Sequence, residues 1–171
     1  MAHEHESGIP GAYDRSAGKN EWQGVTFVGD RDVQSAELNE AQTIARQRHN
    51  RVASLVAKDG DRIEGAAAVV DVDAGSVLLT PGKLFIGGDV LPVALATLYT
   101  VPMTGRVEIG VRVTKVWIDH EDDPSLLGIV PGTLSEGEPG AAREKVTIAW
   151  GLSGGASELP FVLVYTLLDG V

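Results

Sequence analysis

The sequence contains no cysteine and few positively charged residues, and each shortage excludes a class of protein. Without cysteine, the 171-residue chain can form neither a disulfide bond nor a thiolate metal site. It has 14 Lys and Arg against 24 Asp and Glu, a formal net charge of −10. Nucleic acids and anionic membrane surfaces both require clustered positive charge. We therefore expect neither of them as a partner.

Long hydrophobic runs are also missing. No apolar segment approaches the roughly 20 residues that span a bilayer, so we expect no membrane insertion. The N-terminal MAHEHESG lacks the apolar core of a signal peptide. Glycine, in contrast, is abundant at 21 residues. This abundance predicts many tight turns between short strands.

The first 32 residues predict an extended arm. This segment is polar, and its aromatic residues Tyr13, Trp22 and Phe27 are isolated from one another. An extended segment makes few contacts with itself, so it gains order mainly by binding something else. We expect the three aromatics to anchor the arm on a neighbouring chain. The alternative is a strap over its own domain.

Residues 33–60 predict one long helix, beginning near 34 and ending near 57. Ser35 is the expected N-cap, and Asp59-Gly60 the expected stop. The charges agree with the helix dipole, with acids first and bases last. The acidic residues are Glu37 and Glu40, and the basic ones are Arg46, Arg48 and Arg51.

From residue 61 to 171 the hydrophobic period changes to two, which indicates strands. RVEIGVRV (106–113) alternates most clearly, and KVTIAW (145–150) repeats the pattern. Between them, a long loop is expected at 119–145, and loops of that length are usually functional or packed as a unit. The predicted fold class is α+β: an extended arm, one long helix and an antiparallel β-rich body, arranged as a sandwich or partial barrel.

The last residues, FVLVYTLLDGV, are apolar almost to the end of the sequence. Chain termini are usually frayed and polar. Either the last strand is firmly docked, or this sequence is the N-terminal portion of a longer protein. We favour the second interpretation.

Candidate chemistry is sparse, and we expect no enzyme, no metal and no cofactor. His3 and His5 form an H-x-H pair without a third ligand. The acids of the 119–123 segment are nearly consecutive, so their side chains diverge and an acidic turn is favoured over a cation site. Ser153 lies in GLSGG, which lacks the flanking pattern of a serine nucleophile elbow. His49 and His120 are the remaining candidate bases, and His49 lies within a helix where a solvated or interfacial position is expected.

The helix has a narrow apolar stripe, and what the stripe packs against is the main question. Two arrangements are open: the helix crosses the sheet of its own domain, or three copies pack around a symmetry axis. Small residues in the stripe require a close neighbour, and a charged residue within it requires a carboxylate or water. The stripe consists of Leu38, Ala41, Ala45, Arg48, Val52 and Leu55.

A series of short motifs resembles one family. The series occupies about residues 13–150 in one order. It comprises YDRSAGKNEWQGVTFVGDRD, VQSAELNEAQTI, KDGDRIEG, PGKLFIGGDV, TGRVEIGV, HEDDPSLLGI and GEPGAAREK. It is similar to a domain of unknown function found at the N-terminal end of tail-fibre and baseplate-associated proteins of tailed bacteriophages.

This resemblance implies a structural virion protein that anchors a fibre to the tail tip or baseplate. It implies a homotrimer, baseplate or tail-tip partners, and a particle assembled in the bacterial host cytoplasm. It implies no catalytic residues. A carbohydrate- or small-ligand-binding β-module that uses the 119–145 loop is the alternative, and a hydrolase of unrecognised type is a third possibility.

Overall fold

The computed structural model describes residues 3–16, 18–19, 21–155 and 157–171, and it is mostly β. Strands hold 37% of the residues and helices 13%. The predicted α+β class with one long helix is therefore wrong. The helical pattern belongs to a single element, whereas strands hold nearly three times as many residues.

The helix α1 spans Ser35–Ala53, 19 residues, and ends before the predicted position near 57. Beyond Ala53 the amides of Leu55 and Val56 bond to carbonyls three residues earlier, which makes tight turns in place of a further α-helical turn. The predicted cap at Ser35 is wrong by one residue. Gln34 is the N-cap, and its amide donates to Glu37 Oε2 at 3.1 Å.

The described residues contain eleven strands, two before α1 in the sequence and nine after it. Two form a small antiparallel hairpin in the arm, and the other nine form three three-stranded sheets, ordered β10-β9-β11, β3-β6-β7 and β4-β5-β8. The strands are β1 (His3–Glu4), β2 (Tyr13–Asp14), β3 (Arg62–Gly65), β4 (Ala68–Asp71), β5 (Ser76–Leu79), β6 (Gly82–Ile86), β7 (Asp89–Val93), β8 (Ala96–Leu98), β9 (Arg106–Ile118), β10 (Arg143–Leu152) and β11 (Phe161–Leu168).

The β6–β7 hairpin is the part of the sheet system that positions α1. Its register pairs Ile86 with Asp89, so Gly87 and Gly88 form a two-residue turn. Both glycines have positive φ, at 62° and 88°, as such a turn requires. Pro92 lies within β7, at the edge of its sheet, where a missing N–H breaks no ladder.

Two hydrophobic clusters form the core of the unit made of residues 1–113 and 148–171. Ala66, Leu84, Ile86, Val93 and Val111 form one cluster, and Val77, Leu79, Val101, Ile109 and Leu167 form the other. Trp150 packs against both clusters, and its indole N–H donates to the Ala94 carbonyl at 3.1 Å. The core therefore comes from the strands.

Residues 114–147 form a second compact unit. It contains the end of β9, the start of β10 and the segment between them, with a 3-10 helix at Pro124–Leu126. Gly128 and Glu138 are joined by a backbone hydrogen bond of 2.9 Å, and an isolated bridge pairs Leu127 with Pro139. We call residues 119–142 the acidic loop, because they include six Asp and Glu and no Lys or Arg.

Candidate self-association surface

The helix α1 has one buried face. Ala36, Glu40 and Ile44 are its buried residues, and they lie at successive intervals of four, which is one side of an α-helix. Ile44 is only 3% exposed. This side is where α1 contacts the rest of its own chain.

The predicted stripe lies outside the buried face, at about 80° (Arg48) to about 160° (Leu38) around the helix from Glu40, and most of it faces solvent. Leu38 is 51% exposed, Val52 66% and Leu55 82%, and Leu55 follows the end of the helix. Ala45 and Arg48 are also exposed, and Ala41 is half-buried. At 100° per residue, Leu38 and Ala45 lie nearly opposite Glu40 and its buried neighbours. The stripe therefore remains available to a partner.

The arm contacts the helix through a polar cluster. Asp14, at the end of β2, accepts hydrogen bonds from the amide and hydroxyl of Ser16 at 2.7 and 2.5 Å. Its other carboxylate oxygen accepts from the hydroxyl of Thr43 at 2.6 Å. The Asn39 side chain donates to the Tyr13 carbonyl at 3.0 Å. The β1–β2 hairpin is thus fastened to the helix of its own chain.

Electrostatics favours the charged form of Asp14. Burial raises the pKa of this carboxyl, but hydrogen bonds from Ser16 and Thr43 lower it, and the net shift is downward from the ordinary value of 3.8. Asp14 is only 5% exposed, so an ionised carboxylate is held inside the protein by these donors.

Arg15 neutralises the buried carboxylate of Glu40. Its guanidinium donates to Glu40 from Nε, and its own amide donates to Glu40 Oε1 at 3.2 Å. The Glu40 hydrogen bond raises the pKa of Arg15 further above its usual range. The two neighbours of Arg15 in the arm, Asp14 and Ser16, are both buried. Side chain and backbone together fix the arm against α1.

A close backbone approach fixes the other end of the helix. A Cβ added to Gly88 would lie 2.2 Å from Asn50 Oδ1 and 3.1 Å from Asn50 Cα. The same turn bonds to the segment after α1, because the Gly87 amide donates to Asp59 Oδ1 at 2.7 Å. Nothing in the spacing of GGD (87–89) indicates that a helix packs on it.

The three arm aromatics lie in different surroundings. The side chains of Tyr13 and Phe27 are exposed. Trp22 is half-buried, and Lys19 Nζ lies 5.1 Å from its ring centroid, a cation–π distance. The structure brings none of them into the core clusters. Their role as partner anchors stays a prediction.

The acidic segment 119–123 forms a hydrogen-bonded turn. The Glu121 amide donates to Asp119 Oδ1 at 2.7 Å, and Asp123 caps the 3-10 helix by accepting from the Ser125 amide at 3.0 Å. Hydrogen bonds from Ser125 lower the pKa of Asp123. Over the described residues, no group of three or more Asp, Glu, His or Cys could hold a metal ion.

The remaining candidate residues are scattered. His49 is exposed on α1, and His120 is half-buried in the acidic loop. His5 Nδ1 accepts from the Ser7 amide at 3.2 Å, and the side chain of His3 lies outside the described part of the structure. Ser153 lies in a turn, where its amide donates to the Glu108 carbonyl at 3.0 Å. None of the described helices has the length and hydropathy that crossing a bilayer requires.

Comparison with protein families gives one match, which covers residues 11–171. The matching family is DUF4815, described as a domain of unknown function. The chain belongs to this family. Recognition of a domain of unknown function from the motif series is thereby confirmed, whereas its placement in phage tail fibres is not part of the family description. No curated protein matches the chain.

Similar solved structures come from the type VI secretion system. A chain of its baseplate complex has 10% identity and a TM-score of 0.43, over 86% of this chain and 54% of that one. A chain of the TssK-TssF-TssG baseplate subcomplex has 9% identity and a TM-score of 0.42, over 85% and 56%. TssK itself has 7% identity and a TM-score of 0.40, over 82% and 36%. This DUF4815 chain spans little more than half of the first two structures and about a third of TssK.

Proposed function

We propose that this DUF4815 chain is a structural attachment module of a phage-tail-type particle, and that it holds a tail fibre on the baseplate or tail tip. The motif series in residues 13–150 supports this proposal through its resemblance to tail-fibre and baseplate-associated proteins. In this proposal the chain has no catalytic role. It assembles in the bacterial host cytoplasm and remains in the virion tail.

The observation that carries the self-association part is the exposed stripe on α1. One side of the helix is already packed on its own chain, whereas most of the stripe is exposed and can meet further copies. Burying apolar surface contributes about 25 cal/mol per Å². Ala41 and Ala45 present little area, and their small size allows neighbouring helices to approach closely. Three copies around one axis would repeat this contact until the assembly closes.

The arm is the proposed contact with a baseplate or tail-tip protein. Residues 13–16 hold the arm on α1, while the rings of Tyr13 and Phe27 remain exposed. Aromatic side chains supply much of the binding energy at protein interfaces, because they bury large areas with few rotatable bonds. Trp22 is a third such contact in this proposal, stacked under Lys19.

The test uses particles that encode this chain, with Leu38→Asp as the variant and Leu95→Asp as the matched control. Both leucines are exposed, at 51% and 61%, but Leu95 lies outside the helix. We expect Leu38→Asp particles to lose their fibres in electron micrographs, because a charge in the stripe opposes helix contact. Leu95→Asp particles should keep them.

Two results would contradict the proposal. One is that fibres remain attached both in Leu38→Asp particles and in particles that lack the chain. The other is saturable binding in a titration of the isolated protein with glycans, which would favour a carbohydrate-binding module instead.

A further inference from the structure

This chain exposes two surfaces that each combine charged with apolar side chains. One surface is basic and the other acidic, so their charges are complementary. The first, which we call the basic end, comprises residues 46–58 at the end of α1. It has four Lys and Arg and no Asp or Glu, although the whole chain carries −10. Its basic residues are Arg46, Arg48, Arg51 and Lys58.

The basic end also exposes apolar side chains. Val52, Leu55 and Val56 are 66%, 82% and 87% exposed. Beside them is an open cleft of about 510 Å³, lined by Arg51, Lys58 and one acidic residue, Asp59, together with Ala57 and Phe85. In the described part of the chain, the side chains of Arg48 and Lys58 have no ion-pair partner, whereas Arg46 bonds to Glu6 at 2.9 Å.

The acidic loop presents the opposite charge with the same kind of apolar surface. Its six acids are Asp119, Glu121, Asp122, Asp123, Glu136 and Glu138. Ile129 and Val130 are exposed, and Leu134 is as exposed as a side chain can be, at 102%. We call Ile129, Val130 and Leu134 the apolar tip. Three exposed apolar side chains within six residues of one hydrogen-bonded loop make it a candidate docking element.

We propose that the acidic loop of one copy docks on the basic end of a second copy, a contact that rests on the self-association proposed above. Carboxylates of the loop would face Arg48 and Lys58, and the apolar tip would cover Val56 and the neighbouring cleft, which leaves Val52 and Leu55 to the contact between helices. This supplies the carboxylate that an arginine within the stripe requires. The contact joins two different surfaces, so it is head-to-tail, and in the proposed trimer each copy would contribute its acidic loop to the next copy.

Charge reversal on each side tests the contact. Arg48→Glu with Lys58→Glu reverses the basic end, and Glu121→Lys with Glu138→Lys reverses the loop. All four residues are exposed, and in the described part of the chain their side chains make no hydrogen bond, so the fold should persist. Light scattering should show each double variant dissociating at a concentration at least roughly tenfold higher than the parent chain.

The quadruple variant is the decisive sample. With both signs reversed, the two surfaces attract again, and the assembled mass should return. Salt should weaken the parent assembly, since screening shortens the range of these charges from ~10 Å at 0.1 M to ~3 Å at 1 M. Arg31→Glu with Glu158→Lys reverses two exposed charges elsewhere and should leave the mass unchanged.

The outcomes separate this proposal from the one it rests on. If the parent chain assembles and neither double reversal changes the assembled mass, the docking contact alone is overturned. Dissociation by both pairs without recovery in the quadruple variant also overturns it, because the two surfaces would then have different partners. A parent chain that stays monomeric overturns the docking contact and the self-association together.

Discussion

Gly88 is the residue of the β6–β7 turn at which an added Cβ would meet the helix α1, 2.2 Å from Asn50 Oδ1. We expect Gly88→Ala to lower the free energy of unfolding by roughly 2–3 kcal/mol, from the cost of positive φ and the contact with Asn50. Gly87→Ala is the matched control, because Gly87 also has positive φ but an added Cβ would meet nothing within 4 Å. Urea denaturation of both variants measures the difference. Equal losses would show that the approach to Asn50 is not tight.

Asp14 makes the stability depend on pH. A carboxyl whose pKa is lowered by folding stabilises the protein above its unfolded pKa, and that contribution is lost as the pH falls through the folded value. We expect Asp14→Asn to be less stable than the parent by about 1–2 kcal/mol at pH 7, since it weakens hydrogen bonds to a buried charge. The difference should shrink as the pH falls below about 4.

The control for this pH dependence is Asp123→Asn. The pKa of Asp123 is also lowered, by bonds from Ser125, but this carboxyl is exposed on the acidic loop. Its loss should change the pH dependence of unfolding much less. A parent and an Asp14→Asn variant with the same pH profile would contradict the role assigned to Asp14.

At the scale of elements, the arm and the helix should stabilise each other through Arg15 and Glu40. A double-mutant cycle with Arg15→Gln and Glu40→Gln should give a favourable coupling free energy in denaturation experiments. The pair Lys83–Glu64, 2.7 Å apart with both side chains exposed, should give a clearly smaller coupling. Additive effects of Arg15→Gln and Glu40→Gln would show that the arm is not held on α1 by this pair.

The sequence predicted elements better than their assembly. Alternation in RVEIGVRV indicated a strand, and residues 106–113 all lie within β9. The helix pattern placed α1 correctly but ran past its end, because the apolar spacing continues into the turns after Ala53, where the amides of Leu55 and Val56 bond three residues back. Fold class was misjudged since one conspicuous helix outweighed many short strands, whose pairing depends on contacts distant in sequence.

The site was only partly readable from the sequence. Heptad spacing located Leu38, Val52 and the other stripe residues, but it could not show which side of α1 is occupied by its own chain. That answer depends on Glu40 and on Asp14, which lies 29 residues before Thr43. A buried carboxylate on a helix face that reads as polar gives no periodic signal, because its partner is set by the fold.

For the whole molecule, the account requires that copies of this chain associate through the stripe of α1. The helix has a buried side fixed by the arm and the β6–β7 turn, and it exposes apolar and small residues together with Arg48. The acidic composition does not oppose assembly where the basic end meets acidic surface.

The most direct test is the mass of the protein in solution by light scattering, together with circular dichroism. For the parent chain we expect three times its 18.0 kDa mass. Leu38→Asp and Leu55→Asp should each give a folded monomer, because both side chains are exposed in the single chain and a charge there opposes only the contact between copies. A parent that remains at 18.0 kDa at all concentrations, or variants that lose their fold, would contradict the account.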